Sequence, residues 1–185
     1  TTAVCPGISQ TYSITTVTGA TSYIWTLPNG WTGTSTTNSI TVNTGTIGGN
    51  IAVKATNDCG TSSEQILAVT VKAGTPAQPT NFTAGPAEVC PGTSATYTVP
   101  AVTGATQYIW TIPSGFSASP LTTTTPSITI TAGSSGSGNI TVKATNDCGT
   151  STTNSMAITI GKPTPVMTGS ITGPAKVCLT ATGLV

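Results

Sequence analysis

Asn50-Ile-Ala-Val-Lys-Ala-Thr-Asn-Asp-Cys-Gly-Thr-Ser62 decides the fold, because the same segment returns almost unchanged as Asn139-Ile-Thr-Val-Lys-Ala-Thr-Asn-Asp-Cys-Gly-Thr-Ser151. A second motif, Val4-Cys5-Pro6-Gly7, returns as Val89-Cys90-Pro91-Gly92, and Val177-Cys178-Leu179 begins a third copy. A repeat with so long a period is typical of small domains joined in tandem. The sequence therefore predicts an array, whose function depends on reach, stiffness and exposed surface.

The spacing of the repeated cysteines sets the domain boundaries. Cys5 to Cys90 is a shift of 85 residues, and Cys59 to Cys148 is a shift of 89, so the second unit has longer loops. We expect four segments, in which paired prolines make the linkers extended and semi-rigid. They are a first repeat at 1–72, a proline-containing linker at 73–80, a second repeat at 81–162, and a linker with the start of a third repeat at 163–185.

The two ends of the chain are out of phase with this repeat. Residues 1–185 are then either a segment of a longer protein or a chain whose C-terminal segment completes the first unit of another molecule by strand donation. No signal peptide is recognisable at Thr1, as in a mature chain or a segment of one.

Composition excludes several functional classes. Charged residues make up 5% of the chain, histidine is absent and the formal net charge is +1. So few cations cannot neutralise a row of phosphates, which argues against a nucleic-acid partner. No run approaches the roughly twenty apolar residues of a membrane span, so we expect no membrane insertion of this segment. Solubility must come from hydroxyl and amide groups.

Apolar residues alternate with polar ones inside each unit. Tyr23 and Trp25 fall on one face of a predicted strand, as do Ile51 and Val53 on another. Turn signals such as Pro28-Asn29-Gly30 separate these short segments at intervals of roughly eight to twelve residues, which is typical of an all-β sandwich. We expect essentially no helix.

The cysteines indicate structural disulfides in an oxidising, extracellular setting. Their spacing suggests that Cys5 pairs with Cys59 and Cys90 with Cys148, which leaves Cys178 for a partner outside this chain. Each such bridge would stabilise its unit by about 4 kcal/mol in the chain-entropy model. A metal site is the alternative, but the chain has no Cys-x-x-Cys motif and no histidine.

A tryptophan lies between the two cysteines of each unit, an order reminiscent of immunoglobulin domains. The segments Gly19-Ala-Thr-Ser-Tyr-Ile-Trp-Thr-Leu-Pro-Asn-Gly-Trp31 and Gly104-Ala-Thr-Gln-Tyr-Ile-Trp-Thr-Ile-Pro-Ser-Gly-Phe116 more closely resemble the PKD-like domains of secreted and cell-surface proteins of Bacteroidota. Ordinary PKD domains have an acidic Trp-x-Phe-Gly-Asp-Gly turn here, which this chain replaces with Pro-Asn-Gly or Pro-Ser-Gly. Any property of ordinary PKD domains that depends on that aspartate is therefore not expected of this chain.

The resemblance covers both full units and the beginning of the third. It implies tandem seven-stranded immunoglobulin-like sandwiches and export through the type IX secretion pathway. It also implies a spacer or adhesive role, as in giant gliding-type adhesins, or a role as an accessory module beside a polysaccharide hydrolase.

Aromatic residues are the first candidates for a binding site. Trp25 and Trp110, with a tyrosine two residues before each, are expected in the sandwich cores. Trp31 and Phe116 follow Pro-x-Gly turns and either cap the core or stand exposed as platforms for a sugar ring. A flat apolar face suits both roles.

Acidic residues give little support for metal binding or catalysis. Asp58 and Asp147 occupy identical Asn-Asp-Cys-Gly turns, where hydrogen bonding to the local backbone accounts for them. Calcium binding at these turns would require several further oxygen ligands. Without histidine the usual general base is missing, so we expect no enzyme activity and no cofactor.

The sequence thus predicts a non-catalytic stalk or spacer segment of a large secreted cell-surface adhesin or surface filament, which includes a gliding-related role. The alternative is a carbohydrate-directed accessory module of a secreted polysaccharide hydrolase. The expected partners are neighbouring repeats of the same chain, other surface-protein subunits or extracellular glycan. The expected location is the cell surface, anchored at the outer membrane as part of a longer chain.

Overall fold

The computed structural model of the chain describes residues 2–162. Both units in that range consist of β-strands and turns, with no helix among the described residues, and this confirms the all-β class. The expected third repeat at 163–185, with Cys178, lies outside the described residues.

The strands of the first unit are β1 Thr2–Val4, β2 Ser9–Ser13, β3 Ser22–Thr26, β4 Ser39–Asn43, β5 Gly49–Asn57, β6 Gly60–Thr61 and β7 Gln65–Val71. The strands of the second unit are β8 Glu88–Val89, β9 Ser94–Thr98, β10 Gln107–Thr111, β11 Phe116–Ser117, β12 Thr122–Thr123, β13 Ser127–Ala132, β14 Ser137–Asn146, β15 Gly149–Thr150 and β16 Asn154–Ile160.

Each unit contains two sheets. In the first unit the larger sheet has the order β1-β7-β5-β3 with β6 paired to β5, and the smaller sheet is β2-β4. In the second unit the orders are β12-β10-β14-β16-β8, with β15 paired to β14, and β11-β13-β9. Buried side chains from both sheets of the second unit form one core. The units are therefore β-sandwiches, as the alternating pattern predicts.

The first strand of each unit lies at the edge of the larger sheet, parallel to the last strand. Val4 pairs with Val71 in the first unit, and Val89 pairs with Ile160 in the second. The long strands β5 and β14 run antiparallel to β7 and β16. Consequently the end of the first strand and the Asn-Asp-Cys-Gly turn lie at opposite ends of each sandwich.

The aromatic core predicted for each Tyr-Ile-Trp segment is confirmed, with one difference between the units. Tyr23, Tyr108 and Trp110 are buried, whereas Trp25 is only half-buried. The difference has a local cause, because Phe82 packs its ring 6.2 Å from that of Trp110 in the second unit. The most completely buried apolar side chains are Ile40 and Val42 in the first unit and Tyr97, Val99, Trp110, Ile130, Ile140, Val142 and Ile158 in the second.

The segment at 73–80 does not run free between the units. Pro76 is buried and Pro79 is among the fully buried residues of the chain. The chain then forms an isolated bridge between Ala84 and Thr98 before it enters β8. Both prolines are thus buried in the folded chain and do not form an open spacer.

No helix among residues 2–162 is long and apolar enough to cross a membrane.

Candidate functional site: the seam between the two units

A disulfide bond joins the two units directly. Cys5, after the first strand of unit one, is bonded to Cys148 in the Asn-Asp-Cys-Gly turn of unit two, with a Cα–Cα distance of 5.4 Å. Cys59 and Cys90 are exposed free thiols. The predicted pairings of Cys5 with Cys59 and of Cys90 with Cys148 are therefore wrong, although two of the four expected cysteines do form a bridge.

The topology of the larger sheet is the reason for this correction. Cys5 lies beside the end of β7, whereas Cys59 lies beyond the far end of β5, a strand of 9 residues. At about 3.3 Å per residue the two positions are roughly 30 Å apart. A disulfide requires Cα atoms within about 7 Å of each other. The same argument separates Cys90 from Cys148, because β14 has 10 residues.

Asn146 is the main hydrogen-bonding residue of the seam. Its Oδ1 accepts from the backbone N–H of Cys148 at 2.8 Å, which holds the turn in shape. Its Nδ2 donates to the carbonyl of Gly104 in the same unit at 2.9 Å and to the carbonyl of Gly74 in the linker at 2.8 Å. One side chain therefore orients the cysteine-bearing turn and fixes the incoming chain against it.

Further polar contacts extend this attachment along the linker. The hydroxyl of Thr75 donates to the carbonyl of Cys148 at 3.1 Å. The side-chain amide of Gln78 donates to the carbonyl of Thr153 at 2.6 Å. The amide of Asn154 donates to the carbonyl of Thr80 at 2.7 Å. These contacts attach four linker residues, 74, 75, 78 and 80, to unit two.

One ion pair crosses the same seam. The ammonium of Lys72 lies 3.0 Å from a carboxylate oxygen of Asp147, with both side chains substantially exposed. An exposed pair of this kind contributes roughly 0–1 kcal/mol. The disulfide has a larger effect, since a bridge across a sequence separation of 143 residues contributes about 5 kcal/mol in the chain-entropy model. The covalent bond dominates the seam, and the hydrogen bonds set its geometry.

Asp58 and Asp147, the weak calcium candidates, have different surroundings. Asp58 is exposed in its turn, and Asp147 faces Lys72. Among residues 2–162, no three histidine, cysteine, aspartate or glutamate side chains come close enough together to hold a metal ion.

Trp31 and Phe116, the candidate stacking residues, are not exposed platforms. Trp31 is 6% exposed and Phe116 is 9% exposed. The indole N–H of Trp31 donates to the carbonyl of Ile47 at 2.9 Å, and its ring lies 6.4 Å from that of Tyr12. Burial leaves neither ring a free face for a sugar, so of the two roles that the sequence left open, the structure supports capping of the core.

Two tyrosines contribute hydroxyl groups to the cores, Tyr97 fully buried and Tyr12 half-buried. Burial raises the pKa of both Tyr12 and Tyr97 above its ordinary value, because the phenolate is poorly solvated there. The hydroxyl of Tyr97 donates to the carbonyl of Pro86 at 2.7 Å. These are features of a structural core.

Chemically, the seam is a covalent cross-link between the two units. Sequence reasoning found all four cysteines, but it missed the pairing and the binding role of the linker. The sequence signal for the role of the linker was the Asn that begins each Asn-Asp-Cys-Gly turn. Its side-chain amide has more hydrogen-bonding capacity than its own turn uses.

Comparison with known proteins gives a matching family model and several structural neighbours. The family model of the PKD-like domain matches residues 1–69 and 75–158. A search of curated proteins finds no significant match. Among solved structures, a segment of titin is 16% identical with a TM-score of 0.49, the alignment covering 86% of this chain and 62% of the titin chain. Murine CEACAM1b is 13% identical with a TM-score of 0.45 and coverage of 85% and 95%. The chain thus spans less than two thirds of the titin segment.

Proposed function

The chain belongs to the PKD-like domain family, and from that premise we propose that it is a non-catalytic stalk segment of a large secreted adhesin or surface filament. Domains of this immunoglobulin-like kind are typically extracellular and generally lack catalytic activity. The finer proposal is mechanical: the segment holds a terminal binding region away from the outer membrane. Export through the type IX pathway and a gliding-related role belong to the same proposal.

The observation that carries this proposal is the seam. A covalent bond between Cys5 and Cys148 joins the units end to end, and the linker is hydrogen-bonded to the second unit over its length. A separate binding module gains little from such coupling, whereas a spacer needs it to resist bending and load. The geometry therefore favours transmission of force along the chain.

The outer surface also fits a spacer. Hydroxyl pairs cross between strands on the exposed face of the smaller sheets, at 2.9 Å between Thr11 and Thr41 and at 2.8 Å between Thr96 and Thr129. These cross-strand pairs stabilise the sheets modestly. With only four acidic residues in the chain, the surface offers little charge for adventitious binding.

The carbohydrate-module alternative depended on Trp31 and Phe116, and the burial of both rings removes that support.

The test is a replacement in the native parent protein. Two PKD-like units are deleted in one strain and exchanged in another for two unrelated sandwich domains of equal length. The stand-off between the outer membrane and the terminal region is measured by electron cryotomography, together with surface attachment.

A spacer loses reach, by roughly 30 Å for each deleted unit judging from the ten-residue strand β14. It regains reach and attachment after the exchange. Loss of attachment in the exchanged strain at normal reach would contradict the proposal, because it would show that the units bind something themselves.

A further inference from the structure

We propose that Cys59 and Cys90 each form, with a different neighbouring unit, an inter-unit disulfide of the same kind as the Cys5–Cys148 bond. Cys59 then pairs with the counterpart of Cys5 in a preceding unit, and Cys90 pairs with the counterpart of Cys148 in a following unit. The partner is thus another copy of this repeat. The inference deepens the proposed function, on which it rests only for the presence of neighbouring units.

The first argument is the equivalence of the cysteines. Cys5 and Cys90 both follow the first strand of a unit, and a backbone hydrogen bond to that strand is repeated: Lys72 N–H to the Val4 carbonyl at 2.8 Å, and Gly161 N–H to the Val89 carbonyl at 2.9 Å. One cysteine of this type is already bonded to a cysteine of the Asn-Asp-Cys-Gly type. Among residues 2–162, the two cysteines that remain free are one of each type.

The second argument is the shape of the turn that carries Cys59. Asn57 Oδ1 accepts from the Cys59 N–H at 2.9 Å, and Asn57 Nδ2 donates to the Gly19 carbonyl at 2.9 Å. Asn146 makes the same two contacts in unit two, and its Nδ2 also donates to the linker. The Nδ2 of Asn57 is therefore oriented to donate to a linker carbonyl in the same way.

The third argument is the groove around Cys59. It has a volume of about 320 Å³ and is lined by Val17, Gly19, Asn57, Cys59, Gly60 and Thr61. At the equivalent place on unit two, a Cβ on Gly149 would lie 2.6 Å from the hydroxyl oxygen of Thr75, whereas nothing lies within 4 Å of one on Gly60. On unit two the linker occupies part of this space, and the cleft that remains beside Cys148 has a volume of about 150 Å³.

A second cleft on unit one supports the same occupant. It has a volume of about 150 Å³ and is lined by Tyr12, Trp25 and Leu67, among others. In unit two the counterparts of Tyr12 and Trp25 pack on Phe82, with ring centroids 6.3 and 6.2 Å away. A preceding linker that carries an aromatic residue would complete the core around Trp25.

Formation of each new bond requires a disulfide oxidant such as oxidised glutathione, which accepts the two electrons that the protein thiols lose. One thiolate attacks the oxidant, forms a mixed disulfide and releases one reduced thiol. The cysteine of the neighbouring unit then displaces the second. Two protein thiols and one small disulfide thus become one protein disulfide and two small thiols.

The experiment uses a three-unit chain, residues 1–162 followed in register by a second copy of residues 74–162 that carries Met156→Leu. Trypsin places every cysteine in a different peptide, because lysines 54, 72, 143 and 162 separate them, and the substitution distinguishes the two copies of the Cys148 peptide by mass. The chain is oxidised with glutathione, the remaining thiols are alkylated, and the non-reduced peptides are identified by mass spectrometry.

We expect the Cys90 peptide to be linked to the marked Cys148 peptide, while the Cys5 peptide stays linked to the unmarked one. In the matched control, Cys90→Ser, the marked Cys148 peptide should be alkylated and the Cys5 link unchanged. A Cys90 that stays reduced in a chain with an intact Cys5–Cys148 bond would overturn the proposal, as would a link within its own unit.

The same mapping on the native parent protein keeps the proposal testable if the three-unit chain does not fold. There the Cys59 peptide should be linked to a peptide with the Val-Cys motif of another repeat. An alkylated Cys59 would refute the inference. Neither result depends on stand-off, so the bridge and the stalk function can fail separately.

Discussion

Mechanical extension gives the sharpest test of the Cys5–Cys148 bridge. When the oxidised chain is pulled from its two termini, the residues between the cysteines are shielded, because the disulfide carries the load. Of the described residues, only those before Cys5 and those after Cys148 can then extend. Residues 149–162 would add at most about 50 Å, at roughly 3.3–3.6 Å per residue.

Reduction should change the trace completely. It releases the 143-residue separation between the bridged cysteines, which adds roughly 500 Å of contour length at the same extension per residue. Single-molecule force spectroscopy should therefore show two domain-sized unfolding steps only under reducing conditions or in Cys5→Ser.

The control variant replaces the two free cysteines, Cys59→Ser with Cys90→Ser, and its trace should match that of the oxidised native chain. Domain-sized steps in that oxidised chain would refute the reasoning, since they would place the bridge inside one unit or nowhere.

Three further predictions concern stability. Asn146→Ala should lower the unfolding free energy by about 1 kcal/mol more than Asn57→Ala, because only Asn146 also bonds the linker; urea titrations of both variants check this. Trp110→Ala should destabilise its unit by about 3–5 kcal/mol and Trp25→Ala by less, because only Trp110 is fully buried; calorimetry shows whether the order is reversed. Burial raises the pKa of Tyr97, so this tyrosine loses its proton at a lower pH in the unfolded state than in the folded state. The unfolding free energy therefore falls as pH rises above about 10. Tyr97→Phe should weaken this pH dependence, and an unchanged dependence would contradict the prediction.

Much of the fold could be predicted from the sequence because its determinants are local. The alternation that buries Tyr23, Ile51 and Val53 is readable within a few residues, and so are the turns that end each strand. The repeat itself then gives the number of units. Those signals do not depend on which strands are neighbours.

The cysteine pairing could not be predicted in this way, because it depends on contacts between distant parts of the chain. Spacing suggested a bridge from Cys5 to Cys59, but the parallel pairing of β1 with β7 places them at opposite ends of the sheet. Nothing local in Thr2–Val4 indicates that partner. Similarly, Pro79 resembles a spacer residue in the sequence, and only the packing of the linker on unit two explains its burial.

The choice of partner cysteine has a consequence for an array under load. With a bridge inside each unit, the backbone left to extend is the 31-residue interval from Cys59 to Cys90, once for every unit. With bridges between neighbouring units, the shortest covalent path runs through the disulfide from Cys5 to Cys148. It then follows the 30 residues to Cys178, the counterpart of Cys5, so one such interval can extend for every two units. That interval spans roughly 100 Å when fully extended.

Two folded units already span roughly 65 Å, judging from the length of β14. An array with bridges between neighbouring units therefore cannot extend to twice its folded length even if every sandwich unfolds. An array with bridges inside each unit can. If an oxidised chain of many native repeats stretches beyond twice its resting length, disulfides between neighbouring units do not run along the whole array.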